Sequence, residues 1–345
     1  MKRVLGLGLV LVIVLNLLAA CGGGSTSSDA AQPVGSSGGS SKTYEFKLAT
    51  TVQEAMPAGR AAEIFCNDVL EKSDGRINIG YYPNSQLGSA EELMAQVVDG
   101  TLDIGQISFA TASGYADLLE VIQVPFLLTD NESMKKAYTS EEIQAIFDAV
   151  EEELGVKILC MAEHGSRVIA NNVRPVRTPD DMKGLKMRSS QNGACFETLT
   201  ALGASPVGLT YKEVYSALDS NVIDGEEINF TSMYAEAHYE VLKYVTDVVL
   251  WPFPAINIMS GKAWNSLDPE DQAILEECSQ SCLENNFQFL EEYEAEAKQV
   301  LADAGLEILE DVDPAPFQER VASIREEYRA QNDYFKNFIE MVEAM

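Results

Sequence analysis

An α/β fold of two lobes is what this sequence predicts, on three observations. Strand-like apolar runs alternate with capped helical stretches from about residue 44 onward. The chain has 345 residues, 46% hydrophobic and 23% charged, which is enough for two lobes and a sizeable core. Near its end, Asp268-Pro269 opens a helix that meets no Pro or Gly before Gly305. At about 1.5 Å per residue that helix spans roughly 54 Å, so it must cross both lobes or kink between them.

Taken in order, residues 1–20 read as a targeting segment. Lys2 and Arg3 precede an apolar run broken only by Asn16, and Leu18-Ala19-Ala20 leads into Cys21. The arrangement resembles a bacterial lipobox, which implies a lipidated Cys21 as the mature N-terminus. The alternatives are an ordinary signal peptide with an incidental cysteine, or an uncleaved anchor. Residues 21–42 follow as the lipidated cysteine and a Gly/Ser-rich tether, with a random-coil reach of roughly 25 Å. Five cysteines remain, at 66, 160, 195, 278 and 282, an odd number without a close-spaced framework. Buried apolar packing, not a disulfide scaffold or a zinc site, is their expected role.

Phe46 to Ala49 reads as the first strand, and a helix follows with Ala62, Phe65, Cys66, Val69 and Leu70 on one face, ending near Gly75. Ile77, Ile79 and Tyr81 alternate as a strand. Ser89-x-x-Glu92 is a capping box for a helix that Asp99-Gly100 stops. Leu102 to Ile107 is the next strand, ending near Ser108. Thr139-x-x-Glu142 caps a helix to about Glu153, and Val156 to Met161 is again a strand.

The stretch from Thr178 to Asp247 organises the rest. Thr178-Pro179-Asp180-Asp181 is a helix start stopped by Gly184. Leu185-Lys186-Met187-Arg188 alternates as a half-buried strand, and Thr210-x-x-Glu213 opens a helix from Tyr211 to Leu218. Arg188 therefore stands at the carboxyl end of a strand, where an α/β sheet usually meets its ligand. After Asp313-Pro314 a helical pattern resumes from Phe317 to Met345, expected to pack on the second lobe.

These residues carry a resemblance. TPDDMKGLKMR, ALGASPV, LTYKEVYSALDSNVIDGEEIN and HYEVLKYVTD are similar to the signature region of the solute-binding proteins of TRAP (tripartite ATP-independent periplasmic) transporters, the C4-dicarboxylate-binding family. YYPNSQLGSAEELMAQVVDGTLDIG at 81–105, VPFLL at 124–128 and the Trp264 to Gln272 stretch match as well, in the same order. The resemblance implies a two-lobe periplasmic-binding-protein-like fold, with a ligand cleft between the lobes and a long C-terminal helix bracing both. It places residues 43–164 plus about 254–290 in one lobe and 165–253 plus about 291–345 in the other.

The formal charge of −30 argues against nucleic acid and anionic lipid surfaces as partners. A local excess of basic residues answers how an acidic ligand could approach. Arg167, Arg174, Arg177, Lys183, Lys186 and Arg188 face only Asp180 and Asp181 between Gly165 and Arg188. A guanidinium offers a planar fork that grips a carboxylate and stays charged. By resemblance, Arg188 at the end of the GxKxR strand grips the ligand carboxylate, and Arg167 is the second family arginine. The alternative for Arg188 is a salt bridge to Glu227 or another acid; Glu227 is itself also a ligand-binding candidate. Where the family carries DGQEN or DGAENN, this chain has Asp224-Gly225-Glu226-Glu227-Ile228-Asn229. Ile228 displaces the first asparagine, leaving Asn229 as either the polar contact or a plain turn residue.

By the same resemblance, Gln53, Glu54 and Ser108 line the cleft, and a carboxylate such as Glu54 favours a hydroxylated acid as ligand. Trp251 and Phe253 could wall the cleft or pack in a core or hinge. His164 and His238 are the only histidines, and neither sits in metal-ligand spacing; beside Gly165, His164 could touch the cleft, but a structural imidazole is the expected role. No GxSxG, HExxH, P-loop or post-strand GxGxxG pattern occurs, so no enzyme, cofactor or metal is expected. The expectation is a monomeric, lipid-anchored, extracytoplasmic binding protein that delivers an organic acid to a TRAP permease. The alternatives are a sensor's ligand-binding subunit and a surface enzyme on acidic sugars.

Overall fold

The computed structural model describes residues 42–189 and 193–345, so the expected signal segment, Cys21 and the tether lie outside the described residues. Two sheets carry the fold. The first has strand order β2-β1-β3-β10-β4, built from β1 (Tyr44–Thr50), β2 (Ile77–Tyr82), β3 (Ile104–Ser108), β4 (Val156–Glu163) and β10 (Pro254–Ser260). The second has order β11-β9-β5-β8-β6-β7, from β5 (Arg167–Asn171), β6 (Lys186–Ser189), β7 (Ser205–Gly208), β8 (Gly225–Ile228), β9 (Tyr244–Trp251) and β11 (Glu307–Leu309). β1, β2 and β3 run parallel with helices between them, while β10 returns antiparallel to β3 and β4. This is the mixed α/β arrangement that the alternating sequence pattern predicts.

Local chemistry sets the boundaries. At Ser89 the side chain accepts from Glu92 N and the Glu92 carboxylate accepts from Ser89 N, so the expected capping box starts the helix Ala90–Asp99. Thr178 begins a short 3₁₀ helix, Pro179–Met182, and Thr210 begins a 3₁₀ turn, Tyr211–Glu213, that continues into the helix Val214–Asp219. The cap expected at Thr139 falls one residue later. Ser140 accepts from Ile143 N and the helix runs Glu141–Leu154, while the Thr139 hydroxyl donates back to Lys135 O.

The chain passes between sheets at His164–Ser166 and returns at Pro252–Phe253. The predicted long helix is unbroken over Pro269–Asp303, 35 residues. Its buried residues join three clusters in turn: Leu275, Cys278 and Cys282 under the first sheet, Phe287 and Leu290 in the middle, Ala297 and Leu301 under the second. The helix therefore braces both lobes. All five described cysteines are buried and unbridged.

The C-terminal segment departs from expectation. Asn332 interrupts the helical pattern, accepting from Phe335 N to start a separate helix, Asp333–Glu343. Phe335, Phe338, Ile339 and Val342 form one apolar stripe, and that helix packs on Glu141–Leu154 of the first lobe, not on the second. The preceding helix, Ala315–Gln331, touches second-lobe elements, so the chain end straddles both. Among the described residues, no helix is long and apolar enough to cross a membrane.

Candidate functional site

A cavity of about 340 Å³ opens between the sheets. First-lobe residues Thr51, Val52, Ser108 and Thr111 wall one side, and Arg167, Arg188, Tyr211 and Ser232 wall the other. His164 and Phe253, one from each crossing segment, close the back.

Strand register brings the two arginines together. Arg167 begins β5 opposite Trp251 of β9, and Arg188 stands near the end of β6 opposite Glu226 of β8. Only 3% and 4% exposed, they are the buried pair of the basic window; Arg177, Lys183 and Lys186 are exposed. Arg188 donates through Nε (3.2 Å) and Nη2 (3.1 Å) to the carbonyl of Leu209, which pins the fork. Its Nη1 lies 4.0 Å from Glu227 Oε1 and makes no hydrogen bond. Arg167 Nε lies 3.1 Å from Glu227 Oε2, and its guanidinium stacks 3.5 Å over the Phe253 ring. Arg167 Nη1 also lacks a hydrogen-bond partner. Arg188 thus lines the cavity and also leans on Glu227.

Around this core the groups are held or neutral. Glu227, fully buried, accepts from the Ser189 hydroxyl at 3.1 Å. Behind Arg188, Glu226 meets His238 Nδ1 at 2.7 Å. Burial alone would lower the His238 pKa, but the charge and hydrogen bond of Glu226, with Glu236 nearby, raise it above 6.5. His164 goes the other way: burial, reinforced by Arg167, lowers its pKa to about 3, so the ring is neutral. Its Nε2 makes no hydrogen bond. The hydroxyl of Tyr211 lies near Ser232 without a hydrogen bond of normal geometry.

The structure brings Arg167, Arg188, Ser108 and Phe253 onto the cavity wall and leaves Gln53, Glu54, Glu227, Asn229 and Trp251 off it. Ser108 also caps the short helix Phe109–Ala112, accepting from Thr111 N. Asn229 is buried: its Oδ1 accepts from Ser232 N at 3.0 Å and its Nδ2 donates to Gly165 O at 3.3 Å, so it fixes the crossing. Ile228 belongs to the second-lobe core. Glu54 is exposed and outside the wall. Gln53 reaches across to Ala235 and Glu236. Trp251 is fully buried and packs in the core, leaving Phe253 as the aromatic wall. Sequence reasoning missed Tyr211 and Ser232 and undervalued His164. The available signal for His164 was its place directly before the Gly165-Ser166-Arg167 strand entry. Among the described residues, no group of three or more His, Cys, Asp or Glu could hold a metal ion.

Comparison with known proteins agrees with this fold. Residues 48–332 match the family described as "Bacterial extracellular solute-binding protein, family 7". The chain is 26% identical to the 2,3-diketo-L-gulonate-binding periplasmic protein YiaO of Escherichia coli, over 74% of this chain and 78% of that one. A TRAP periplasmic solute-binding protein from Sulfitobacter, solved with bound β-D-galacturonate, is 26% identical with a TM-score of 0.82, covering 87% of this chain and 100% of that one. One from Chromohalobacter salexigens, with bound D-glucuronate, is also 26% identical with a TM-score of 0.82, covering 87% and 99%.

Proposed function

This chain belongs to family 7 of the bacterial extracellular solute-binding proteins, and from that premise we propose that it captures a carboxylate ligand on Arg188 and Arg167 and delivers it to a TRAP-type permease. One observation carries the reading: two buried guanidiniums wall an interlobe cavity, each with Nη1 free of a hydrogen bond. A carboxylate in that position satisfies donors that otherwise stay desolvated, and a bidentate fork orients it. Because the walls come from both lobes, the ligand favours the closed form through its contacts with each. The relatives solved with uronates support a sugar acid as the ligand class.

Extracytoplasmic placement follows the family. The finer proposal is that Cys21 carries lipid and that residues 22–42 tether the binding unit to the membrane. Cys21→Ser should release the protein from the membrane fraction. For capture itself, calorimetry against uronates, aldonates and C4-dicarboxylates is the test. Saturable binding with the ligand recovered unchanged is expected, and either conversion of the ligand or no binding to any carboxylate defeats the reading.

A further inference from the structure

His164 is fixed through its backbone and left open at its ring. Its carbonyl accepts from the Thr231 hydroxyl at 2.5 Å, and its two chain neighbours are tied together by a 2.9 Å bond from Gly165 N to the Glu163 carboxylate. The residue is only 8% exposed, lines the cavity and leans on Phe253, with ring centroids 6.3 Å apart. Among the described residues, Nε2 nevertheless finds no hydrogen-bond partner. A buried nitrogen without a partner carries a desolvation cost that a ligand atom can remove.

The position of the ring says which ligand atom that is. The Arg167 guanidinium stacks 3.5 Å over the same Phe253 ring, so one aromatic side chain seats both groups. Burial and the Arg167 charge keep the imidazole neutral, and a neutral imidazole offers one N–H and one lone pair. A carboxylate gripped by Arg167 brings the carbon next to it, and any oxygen on that carbon, toward His164. In an aldonate that oxygen is the 2-hydroxyl; in a uronate pyranose it is the ring oxygen. The other polar groups of the wall are engaged or stand elsewhere. Ser108 bonds to Thr111 at 3.1 Å on the first lobe, Gln106 is held by Thr50 and Ala58, and the Tyr211 hydroxyl lies near Ser232.

Resting on the capture reading above, we propose that His164 is a specificity residue that bonds, through Nε2, an oxygen on the carbon adjacent to the ligand carboxylate. The site then takes acids oxygenated at the α-carbon and rejects those whose α-carbon is a bare methylene, because the latter leave the imidazole unpaired in the closed cavity. Hydroxyl groups further along the ligand do not enter this selection.

The test pairs acids that differ only at the α-carbon: gluconate with 2-deoxygluconate, galactonate with 2-deoxygalactonate, and malate with succinate. A 3-deoxygluconate control removes a hydroxyl one carbon further on, and Kd is measured by calorimetry on the intact folded protein. In the pairs that bind, the α-oxygenated acid should bind at least about tenfold more tightly, and the 3-deoxy acid should keep that advantage. His164→Leu should weaken the α-oxygenated acid by about tenfold and leave the 2-deoxy acid within about twofold, so that the preference disappears. His164→Gln, whose amide can donate, should keep part of it. Equal binding within every pair, or a preference that persists in folded His164→Leu protein, overturns the proposal and leaves carboxylate capture intact. No binding by any of these acids or by a uronate sinks the capture reading instead. Nitrogen NMR of the unsubstituted protein gives a second readout, with its two imidazoles told apart through His238→Gln. The His164 Nε2 resonance should move at saturation with gluconate or galacturonate and stay near its ligand-free position with 2-deoxygluconate. A resonance that stays fixed with an α-oxygenated acid bound overturns the proposal, whether or not the substituted proteins fold.

Discussion

Gln53 and Glu236 meet across the gap between the lobes: Nε2 of Gln53 donates to Oε1 of Glu236 at 2.9 Å and to the carbonyl of Ala235 at 3.1 Å. One residue lies in the turn after β1, the other at the end of the helix Phe230–Ala235. Contacts of this kind favour the closed form without touching the ligand, so they act on release. Each part-buried bond contributes about 0.5–1.5 kcal/mol, and Gln53→Ala should speed ligand release roughly three- to tenfold with a smaller change in association. Stopped-flow displacement reads both rates. An unchanged release rate would mean that the bridge does not stabilise the closed form.

The two arginines should fail differently when truncated. Arg188→Ala removes a fork pinned to the Leu209 carbonyl and only 4.0 Å from Glu227, while Arg167 still offsets that carboxylate at 3.1 Å. Binding should be lost with the melting temperature lowered by no more than about 5 °C. Arg167→Ala instead strips Glu227 of its nearer partner and uncovers the Phe253 ring, which should destabilise the fold by roughly 3 kcal/mol. Thermal melts beside calorimetry separate the two, and equal losses of stability would contradict the asymmetry of the pairing.

The parts of this site that could be read from the sequence are those set by local chemistry. A strand carrying Arg188 and helix starts at Ser89 and Thr210 follow from spacing within a few residues; the Ser89 cap stands where expected, the strand ends one residue past Arg188, at Ser189, and the turn after Thr210 opens as 3₁₀ before the helix Val214–Asp219. Polar side chains in turns are another matter, because their partners are distant in sequence. Gln53 finds its partner 183 residues away, and Asn229 turns back 64 residues to Gly165. Trp251 illustrates the same limit: alternation along β9 cannot say which lobe's core covers its inward face. The placement of the last helix depended on the break at Asn332, which a helical pattern read as continuous conceals.

Stability should depend on pH through the histidines, with opposite signs. The His238 pKa is raised above 6.5, so the folded state holds its proton longer than the unfolded chain. Its contribution is complete below pH 6.5 and is lost as pH rises through the folded pKa. His164, lowered to about 3, resists the proton that the unfolded chain accepts, so it weakens the fold as pH falls from 6.5 toward 3. Each effect has a limiting slope of about 1.4 kcal/mol per pH unit. Urea titrations from pH 5 to 9 should show the stability difference between the unsubstituted protein and His238→Gln shrinking as pH rises. The corresponding difference for His164→Asn should change only on the acid side, and the reverse pattern would contradict both assignments.

Glu163 ends β4 where the chain leaves the first sheet, and it ties the two crossing segments to the long helix. Its Oε1 accepts from Gly165 N at 2.9 Å and from Phe253 N at 3.1 Å, one N–H from each crossing, while Oε2 accepts from the Tyr138 hydroxyl at 2.5 Å. Asn286 of the long helix holds its backbone, accepting from Glu163 N at 2.6 Å and donating to Glu163 O at 3.0 Å. Burial raises the carboxyl pKa, and the hydrogen bonds from Tyr138, Gly165 and Phe253 pull against that. The two ways of removing the charge should therefore differ. Glu163→Gln can keep its carbonyl oxygen on the two N–H groups and turn its amide toward Tyr138, whose hydroxyl can accept, so the loss should stay near 1 kcal/mol. Glu163→Ala leaves two buried N–H groups unpaired and should lose roughly 3 kcal/mol or more, while loosening the angle between the lobes. Urea unfolding gives the stabilities, and small-angle scattering of the ligand-free protein gives the spread of lobe angles. If alanine and glutamine prove equivalent in both measurements, the carboxylate is buried packing and not the joint that couples the crossings to the long helix.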